Sequence, residues 1–506
     1  MTTHIPRQPY SQEELATLYP SDLELQQVQV ILRHGERTPV NARFKNAGLP
    51  AYWPYCSAAQ QMKSTVMSAD GNWDTLQWRR RLEVFERQIE SSGLDNPTLA
   101  KGSRGEIDAV CQPGELTDKG RQTTTALGKR LRDLYVSKLG LLPEVLDSTT
   151  ASSVYLRSTP IPRALESTQQ AYTGLYPAAK RSADLPPPVM VSRSFSDETL
   201  FPNEGGCKRF GELAKAFANR ASEIWNPSAE LAYINKKIGK WMPEDSPVVK
   251  VDSHPRLTGV MDTVNATLAH GSATKLPKEF YDEKLISHMD RICTEEWFAG
   301  YTMSNEYRTL GIGGLVGDLV QNMVKRTQKE SFKISLNGCH DTTLAATLAS
   351  FGAFDVEKDN WPPYTSSISV ELFKSRSGTG SFTPTSPSGT VWPSKEKTWW
   401  SSLFSSASPS TPAATSTRKP LAEMSATEQA GLDNYFVRLR YNDRPVTIPF
   451  CKVPGKHRAD DESFCTLAAF KEAADSFTPK DWKKECMTNL GEPAMPAEGI
   501  QAPPGL

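Results

Sequence analysis

The chain has 506 residues and balances 58 basic against 58 acidic side chains, so its formal net charge at pH 7 is zero. A chain of this length can bury a large core, and length alone favours about two to four domains. The balanced charge excludes a bulk electrostatic attraction to nucleic acid or to an anionic membrane. Any anion-binding site must therefore be built from arginines that are placed locally.

The first informative stretch is a strand followed by a charged turn. Residues Leu25 to Leu32 alternate and include β-branched side chains, which predicts a strand, and Arg33 to Pro39 (RHGERTP) follow at once. The forked guanidinium groups of Arg33 and Arg37 match phosphate oxygens, while a neutral imidazole such as His34 can attack phosphorus. Read alone, the stretch could instead be a solvated loop with a capping histidine.

The heptapeptide at 33–39 resembles the RHGxRxP signature of the histidine acid phosphatases, a branch of the histidine phosphatase superfamily. This resemblance implies an α/β fold, with an open, mostly parallel central sheet and flanking helices similar to phosphoglycerate mutase, plus an inserted helical cap. It also implies a phosphomonoester hydrolase that needs no metal and no cofactor. It marks His34 as the nucleophile and Arg33 and Arg37 as ligands of the substrate phosphate.

The segment 41–110 is polar and irregular, and we predict a loop-rich insertion after the first strand. One helix is expected inside it, from Trp73 to Ile89, because apolar residues recur there at helical intervals. A further helix is expected to follow Thr117, its N-cap, and to run to about Val136. The G-x-L-T run that leads into this helix also resembles the family.

A second strand-to-helix junction lies at Ser153–Arg163. A short strand delivers Arg157 at its end, and Pro162 suits the first turn of the helix that follows. Taken alone, Arg157 is as well explained by a structural ion pair as by a ligand contact. The family's Arg-Ser-Thr run implies that Arg157 is the third phosphate-binding arginine. Many relatives carry aspartates where this chain has Pro160 and Pro162, which leaves the role of Arg163 open.

The segment 196–304 is predicted to be a mainly helical cap. Its three histidines are expected to be satisfied by hydrogen bonds rather than to act in catalysis: His254, His270 and His288. The helices are expected at Phe210–Trp225, Leu231–Met242, Arg256–His270 and Glu279–Trp297.

A third junction follows a strand from Phe332 to Leu336, where His340 and Asp341 begin a helix that runs to about Phe351. The free N–H groups and the dipole of a helix start favour anions. By themselves the two residues could be an aspartate N-cap beside a bystander histidine. The family's His-Asp motif implies that Asp341 is the proton donor and that His340 binds the phosphate.

The remaining chain divides into core and insertion. Residues 374–432 are rich in serine, threonine and proline and are predicted to be a low-complexity insertion. Trp399 and Trp400 inside it could dock on a partner or a membrane, but one turn of apolar residues binds weakly, so we expect them to fold back on the protein. A hairpin from Tyr435 to Phe450 closes the sheet. The α/β catalytic core is then assigned to 20–195, 305–373 and 433–490.

Cysteine usage and the chain start bear on location. The eight cysteines form no CxxC pair and no cluster with histidines, so no metal site is expected, and a reducing compartment would leave them as thiols. Residues 1–20 lack the apolar core of a secretory signal, and no run of about 18 apolar residues predicts a transmembrane segment. We therefore expect an intracellular protein, either cytoplasmic or mitochondrial.

The three junctions lead to one hypothesis about mechanism. The carboxyl ends of strands in an open α/β sheet meet at one edge, so six side chains are expected to converge there: Arg33, His34, Arg37, Arg157, His340 and Asp341. His34 would become phosphorylated while Asp341 protonates the leaving alcohol. A bound phosphate dianion would raise the pKa of Asp341, which predicts an acidic pH optimum.

The substrate is expected to be a phosphomonoester, either a small molecule or a lysophospholipid. The run at 155–168, the Trp-Pro-Pro turn at 361–363 and the missing signal resemble the lysophosphatidic acid phosphatase branch. Phytase (inositol-phosphate phosphatase) and general acid phosphatase activities stay open, as do a phosphomutase and a non-catalytic protein that binds a phosphate ligand. The sequence leaves the oligomeric state open.

Overall fold

The structure is a computed structural model, which describes residues 2–85, 96–328, 331–355, 359–376, 418–459, 461–495 and 504. In chain order the strands are β1 (Leu23–Arg33), β2 (Met62–Met67), β3 (Trp73–Trp78), β4 (Glu83–Phe85), β5 (Pro97–Leu99), β6 (Val154–Ser158), β7 (Met190–Val191), β8 (Ile334–Cys339), β9 (Ser367–Ser375), β10 (Tyr435–Tyr441), β11 (Arg444–Val446), β12 (His457–Arg458) and β13 (Asp461–Thr466).

The helices are α1 (Gln12–Leu18), α2 (Asp118–Leu131), α3 (Pro162–Leu175), α4 (Lys208–Trp225), α5 (Ala229–Ile238), α6 (Leu257–Ala269), α7 (Glu283–Met303), α8 (Asn305–Arg308), α9 (Gly314–Gln328), α10 (Asp341–Ser350), α11 (Ala426–Ala430), α12 (Leu467–Asp475) and α13 (Trp482–Glu485). In the described part of the chain, no helix has both the length and the apolar character needed to cross a bilayer.

Nine strands form one sheet in the order β12-β13-β10-β9-β1-β8-β6-β7, with β11 paired to β10. Strands β1, β8, β6 and β7 run parallel to one another, and β9 joins the other edge of β1 in the antiparallel direction. The predicted fold class, an α/β sheet flanked by helices, is confirmed. The parallel half matters most here, because its strand ends carry the predicted site residues.

The sheet is buried on both faces, which explains why β1 is continuously apolar near its end. Val30 and Leu32 face one core cluster together with Leu127 of α2 and Leu175 of α3. Ile31 points the other way, into a larger cluster that includes residues of α4, α7, α9 and α10. Successive side chains of a strand alternate between faces, so β1 is fixed in register by two cores at once.

The insertion at 41–110 differs from its prediction. The helix expected from Trp73 to Ile89 is wrong, because Trp73–Trp78 is a strand that pairs antiparallel with Met62–Met67. Gly71, with a φ of 81°, makes the turn between them. The apolar spacing suggested a helix, whereas a partner strand a few residues earlier and a glycine turn decide for a hairpin. Residues 86–89 of the predicted helix lie outside the described residues.

Residues 196–304 contain α4 to α7, close to the four predicted helical segments. The prediction for His270 is confirmed: its Nε2 lies 2.9 Å from Thr117 Oγ1 and its Nδ1 lies 2.7 Å from the Ala266 carbonyl oxygen. Within the predicted insertion at 374–432, residues 377–417, including Trp399 and Trp400, lie outside the described residues. The division into core, cap and insertions stays a prediction.

Six cysteines are paired in disulfides, an outcome that the sequence leaves open. The pairs are Cys56–Cys111, Cys207–Cys486 and Cys451–Cys465, while Cys293 and Cys339 are free and buried. Disulfides persist in oxidising compartments and thiols in the reducing cytosol. The redox state of these six cysteines therefore reports the compartment in which the chain folds.

A buried ion cluster joins β9 to β10. Glu371 is fully buried, and its carboxylate lies 2.8 Å from Arg438 Nη2 and 3.4 Å from Arg440 Nη1. Tyr19 and Tyr135 donate hydrogen bonds of 2.7 and 2.8 Å to the same carboxylate. Buried charges are tolerated only when they are paired and hydrogen-bonded, so this carboxylate is needed by both arginines.

We expect Glu371→Gln to lower the free energy of unfolding by about 3–5 kcal/mol, because two buried guanidinium groups lose their counter-charge. Denaturant unfolding measures this loss. Glu24→Gln, at an exposed position of β1, is the matched control and should change stability by no more than about 0.5 kcal/mol. Equal effects of the two substitutions would contradict a role for the buried cluster.

Candidate active site

Three parallel strands end at the same level of the sheet. In the register of β1 and β8, Arg33 lies opposite Cys339, and in that of β6 and β8, Ser158 lies opposite Gly338. The residues that follow these strand ends therefore come from distant parts of the sequence to one edge. The structure brings together His34, Arg33, Arg37, His340 and Asp341 at this edge.

His34 is buried and held in one orientation. Its backbone N–H donates to the Cys339 carbonyl oxygen at 3.1 Å, which ties it to the end of β8. Its Nδ1 lies 2.9 Å from the Gly35 carbonyl oxygen. A carbonyl oxygen can only accept, so Nδ1 carries the imidazole proton and Nε2 of the neutral ring keeps its lone pair.

The turn after His34 needs glycine. A Cβ atom on Gly35 would lie 2.3 Å from the backbone oxygen of Gly120 in α2. Gly35 N–H also donates to Ser167 Oγ of α3 at 3.1 Å. The close approach of α2 and α3 thus fixes the backbone of Gly35, whose carbonyl oxygen accepts the hydrogen bond from His34 Nδ1.

Arg33 and Asp341 form an ion pair across the edge of the sheet. Arg33 Nη2 lies 2.6 Å from Asp341 Oδ2, and the same oxygen accepts a 3.0 Å hydrogen bond from the Trp361 indole. Arg33 also donates to the Pro362 carbonyl oxygen at 2.5 Å and lies over the Tyr364 ring at 4.2 Å. The Trp-Pro-Pro turn therefore positions both charged groups.

Arg37 is held from the helical side of the site. Its Nη1 lies 2.6 Å from Asp262 Oδ1 of α6, a residue that the sequence did not single out. Asp262 Oδ2 also accepts a hydrogen bond from the Val40 N–H at 3.1 Å and lies 3.4 Å from Arg43 Nη1. Asp262 could not be found from motif spacing, because it lies more than 200 residues from its partners.

His340 lies beside His34. The ring centroids of His34 and His340 lie 5.5 Å apart at an angle of 66°. His340 Nε2 lies 3.2 Å from Thr159 Oγ1, in the loop after β6. As predicted, Asp341 begins α10, whose first N–H groups lie at the same edge.

Arg157 does not join this group. Its Nη2 lies 2.6 Å from Glu198 Oε1, which is fully buried, and its Nη1 lies 3.1 Å from Asp318 Oδ2. The structure therefore gives Arg157 the ion-pair role that the sequence had left as the alternative to a ligand contact.

Arg163, whose role the sequence left open, acts electrostatically on both imidazoles. It lies on the first turn of α3, directly after Pro162, and after burial it is the strongest influence that lowers the pKa of both His34 and His340. Burial and the neighbouring charge of Arg37 lower the pKa of Arg163 itself to about 10. Pro162 at the first helical position was the signal that could have placed Arg163 at this edge.

The charges set the protonation of the site. Burial, followed by the charge of Arg163, holds the pKa of His34 well below its usual range and also lowers that of His340. Both imidazoles are therefore neutral at neutral and mildly acidic pH. Burial alone would raise the pKa of Asp341, but Arg33 and the Trp361 indole outweigh it and lower this pKa overall. Asp341 is thus ionised before substrate binds.

A cavity of about 410 Å³ is lined by three of the site residues, Arg33, Arg37 and Asp341. It lies between the strand ends and α6, with the Trp361 and Tyr364 rings on one side and the residues of α6 on the other. Among the described residues, no cluster of three or more histidine, cysteine, aspartate or glutamate side chains could hold a metal ion. The described site offers arginines, two neutral imidazoles and the carboxylates of Asp341 and Asp262.

Comparison with known proteins supports this chemistry. A sequence profile of the histidine phosphatase superfamily (branch 2) matches residues 24–385. A probable acid phosphatase of Schizosaccharomyces pombe is 36% identical over 474 residues, which covers 92% of this chain and 95% of that protein. The chain belongs to the histidine phosphatase superfamily, branch 2. The predicted family and the predicted enzyme class, a histidine acid phosphatase, are confirmed.

More distant matches agree with the fold. Human lysophosphatidic acid phosphatase type 6 is 25% identical over 372 residues, covering 70% of this chain and 74% of that protein. A multiple inositol polyphosphate phosphatase of Bifidobacterium longum superposes with a TM-score of 0.53 at 11% identity, covering 94% of this chain and 96% of that one. A Hafnia alvei phytase reaches 0.51 at 12% identity, over 92% and 99% of the two chains.

Proposed function

We propose that this phosphatase hydrolyses phosphomonoesters through a phosphohistidine on His34. The observation that carries the proposal is the 2.9 Å hydrogen bond from His34 Nδ1 to the Gly35 carbonyl oxygen. This bond leaves Nε2 unprotonated in a site where Arg33, Arg37 and Arg163 supply positive charge. A neutral imidazole among fixed cations is a nucleophile for phosphorus, and the cations stabilise the charge that develops on the phosphoryl oxygens.

The first step moves one phosphoryl group. The His34 Nε2 lone pair forms a bond to phosphorus while the bond from phosphorus to the alcohol oxygen breaks, and Asp341 gives that oxygen a proton. In the second step water attacks the phosphohistidine, Asp341 takes a proton from the water, and His34 leaves as the neutral ring. Proton delivery to a poor leaving group is worth roughly a hundred- to ten-thousand-fold in rate.

Asp341 is ionised in the free site, so its proton must arrive with the substrate. A phosphomonoester has a second pKa of about 6, and the monoanion that dominates below this pH carries one proton. Phosphate binding next to the ion pair of Arg33 and Asp341 draws the guanidinium towards the anion, and the like charge of the phosphate raises the pKa of Asp341. The proton of the monoanion then passes to Asp341, which accounts for activity at acidic pH.

Arg163 is proposed as the third arginine that binds the phosphate, in place of Arg157. It raises the positive potential at both imidazoles, and no ion pair to Arg163 is found among the described residues. Its guanidinium is therefore available to an anion, whereas Arg157 already lies against Glu198 and Asp318. Together with Arg33, Arg37 and the neutral His340, Arg163 would surround the transferring group.

The names of similar proteins suggest two candidate substrates. Proteins named lysophosphatidic acid phosphatase match this chain at 24–26% identity, which supports lysophosphatidate as a candidate. Phytate is the second candidate, because solved phytases share the fold. A non-catalytic role as a phosphate-binding protein is the alternative from a different class of function.

His34→Ala should abolish the covalent intermediate, because no other described group in the site offers a neutral ring nitrogen oriented by a backbone carbonyl. Rapid quenching in alkali, in which a phosphohistidine survives, should trap label from ³²P-labelled 4-nitrophenyl phosphate on the wild-type protein and none on the variant. His270→Ala serves as the matched control and should still be labelled, because His270 is bound to Thr117 and Ala266 away from the phosphate. Label that persists on His34→Ala would identify another nucleophile.

Arg163→Met should lower kcat/KM by roughly a hundred- to thousandfold, because a cation is removed from the transferring phosphoryl group. Arg157→Met should act mainly on stability, with a loss of about 3–5 kcal/mol, because it leaves the buried Glu198 carboxylate unpaired. Steady-state kinetics and denaturant unfolding of both variants measure the two effects. If instead Arg157→Met lowered kcat/KM and Arg163→Met lowered stability, Arg157 would be the phosphate ligand.

Activity on 4-nitrophenyl phosphate, lysophosphatidate and phytate should rise as the pH falls through about 6, because the substrate monoanion supplies the proton. The acidic limit should not reflect protonation of His34, whose pKa is lowered well below its usual value. Initial rates of the three substrates from pH 4 to 9 test this. A flat or alkaline profile would remove Asp341 as the proton donor, and tight binding without turnover of any ester would favour the binding protein.

A further inference from the structure

The cavity that opens onto the site is rich in arginine but carries little unpaired charge. Four arginines line it: Arg33, Arg37, Arg43 and Arg256. Each of them already lies against a carboxylate. Within the described part of the chain, no lysine lines this cavity.

The carboxylates that pair with these arginines come from opposite sides of the cavity. Asp341 holds Arg33 at 2.6 Å from the strand side, and Asp262 of α6 holds Arg37 at 2.6 Å and Arg43 at 3.4 Å. Arg256, whose side chain is 45% exposed, forms an ion pair with Glu296 of α7, which is 2% exposed. Asp262 therefore places a carboxylate in the wall of the cavity, where it offsets the charge of the two arginines that an anion would otherwise meet.

One phosphoryl group can still be accommodated. The proposed transfer gives it Arg163 and the groups of the strand ends, and it raises the pKa of Asp341, which removes one negative charge. A second phosphate group on the same molecule finds no such arrangement. It would approach Asp262, and the nearby Arg43 and Arg256 could serve it only by giving up their carboxylate partners. Both effects disfavour an additional anion.

We propose that Asp262 is a specificity-determining residue that restricts the site to esters with a single phosphate group on an uncharged leaving group. The inference rests on the proposed function, and it assigns polyphosphorylated substrates such as phytate to the disfavoured class. The rings of Trp297, Trp361 and Tyr364 in the same cavity offer an uncharged leaving group a surface for contact. Specificity then arises from a repulsive element beside the attractive arginines.

The test compares two substrates in one ratio: kcat/KM for myo-inositol hexakisphosphate divided by kcat/KM for phenyl phosphate, at one pH and ionic strength. The wild-type ratio should be well below one. Asp262→Asn should raise the ratio on the order of tenfold, as expected when one negative charge is removed from the cavity wall at an effective dielectric constant of about 20 with partial salt screening. Any change in the position of Arg37 affects both substrates and cancels in the ratio.

A second variant moves the ratio in the opposite direction. Arg43→Gln leaves Asp262 with one cationic partner fewer and should lower the ratio, so the proposal stays testable even if Asp262→Asn does not fold. Asp262→Glu keeps the charge and should retain the wild-type ratio. Asp245→Asn, which neutralises an exposed carboxylate in a turn between α5 and α6, is the matched control and should leave the ratio unchanged.

The outcomes separate this inference from the proposed function. A wild-type ratio of one or more, or a ratio that neither Asp262→Asn nor Arg43→Gln changes, overturns the role of Asp262. Turnover of phenyl phosphate that survives His34→Ala, or no turnover of any ester, overturns the proposed function instead. A ratio that rises in Asp262→Asn and falls in Arg43→Gln, with the control unchanged, supports the role of Asp262 in substrate specificity.

Discussion

The site depends on the parallel pairing of β1, β8 and β6, whose ends lie at one level of the sheet. Because Arg33 lies opposite Cys339 and Ser158 opposite Gly338, three loops that are far apart in sequence begin at the same edge. The two core clusters hold β1 from both faces and fix this register. A slip of one residue would move His34 away from the Cys339 carbonyl oxygen and reverse the direction of every side chain.

The electrostatics follow from that arrangement and not from the overall composition, since the chain has no net charge. Burial, together with arginines from the end of β1, the loop after it and α3, keeps the imidazoles neutral, while Arg33 and the Trp361 indole keep Asp341 ionised until an anion arrives. The same groups therefore prepare the nucleophile and leave the acid without its proton. The substrate must therefore bring the proton that Asp341 lacks, so that substrate binding and the chemical step are coupled.

Sequence patterns located the strand-to-helix junctions well, because each combines an apolar run with a turn residue and a charged residue. They failed where long-range contacts decide. Arg157 and Arg163 lie six positions apart, and only the ion pair with Glu198 and the start of α3 show which of them faces the imidazoles. Nothing near Asp262 in the sequence marks it, because its role depends on an ion pair with Arg37, which is distant in the chain.

The bond between Cys207 and Cys486 has a consequence for a broken chain. Cys207 precedes α4, and Cys486 follows α13 near the end of the described residues, at a sequence separation of 279. A cut anywhere between β9 and β10 would yield two fragments that stay covalently joined under oxidising conditions. Strands β9 and β10 would also remain neighbours in the sheet. A nicked enzyme could thus keep its strand ends, and with them its catalytic competence, until a reductant separated the pieces.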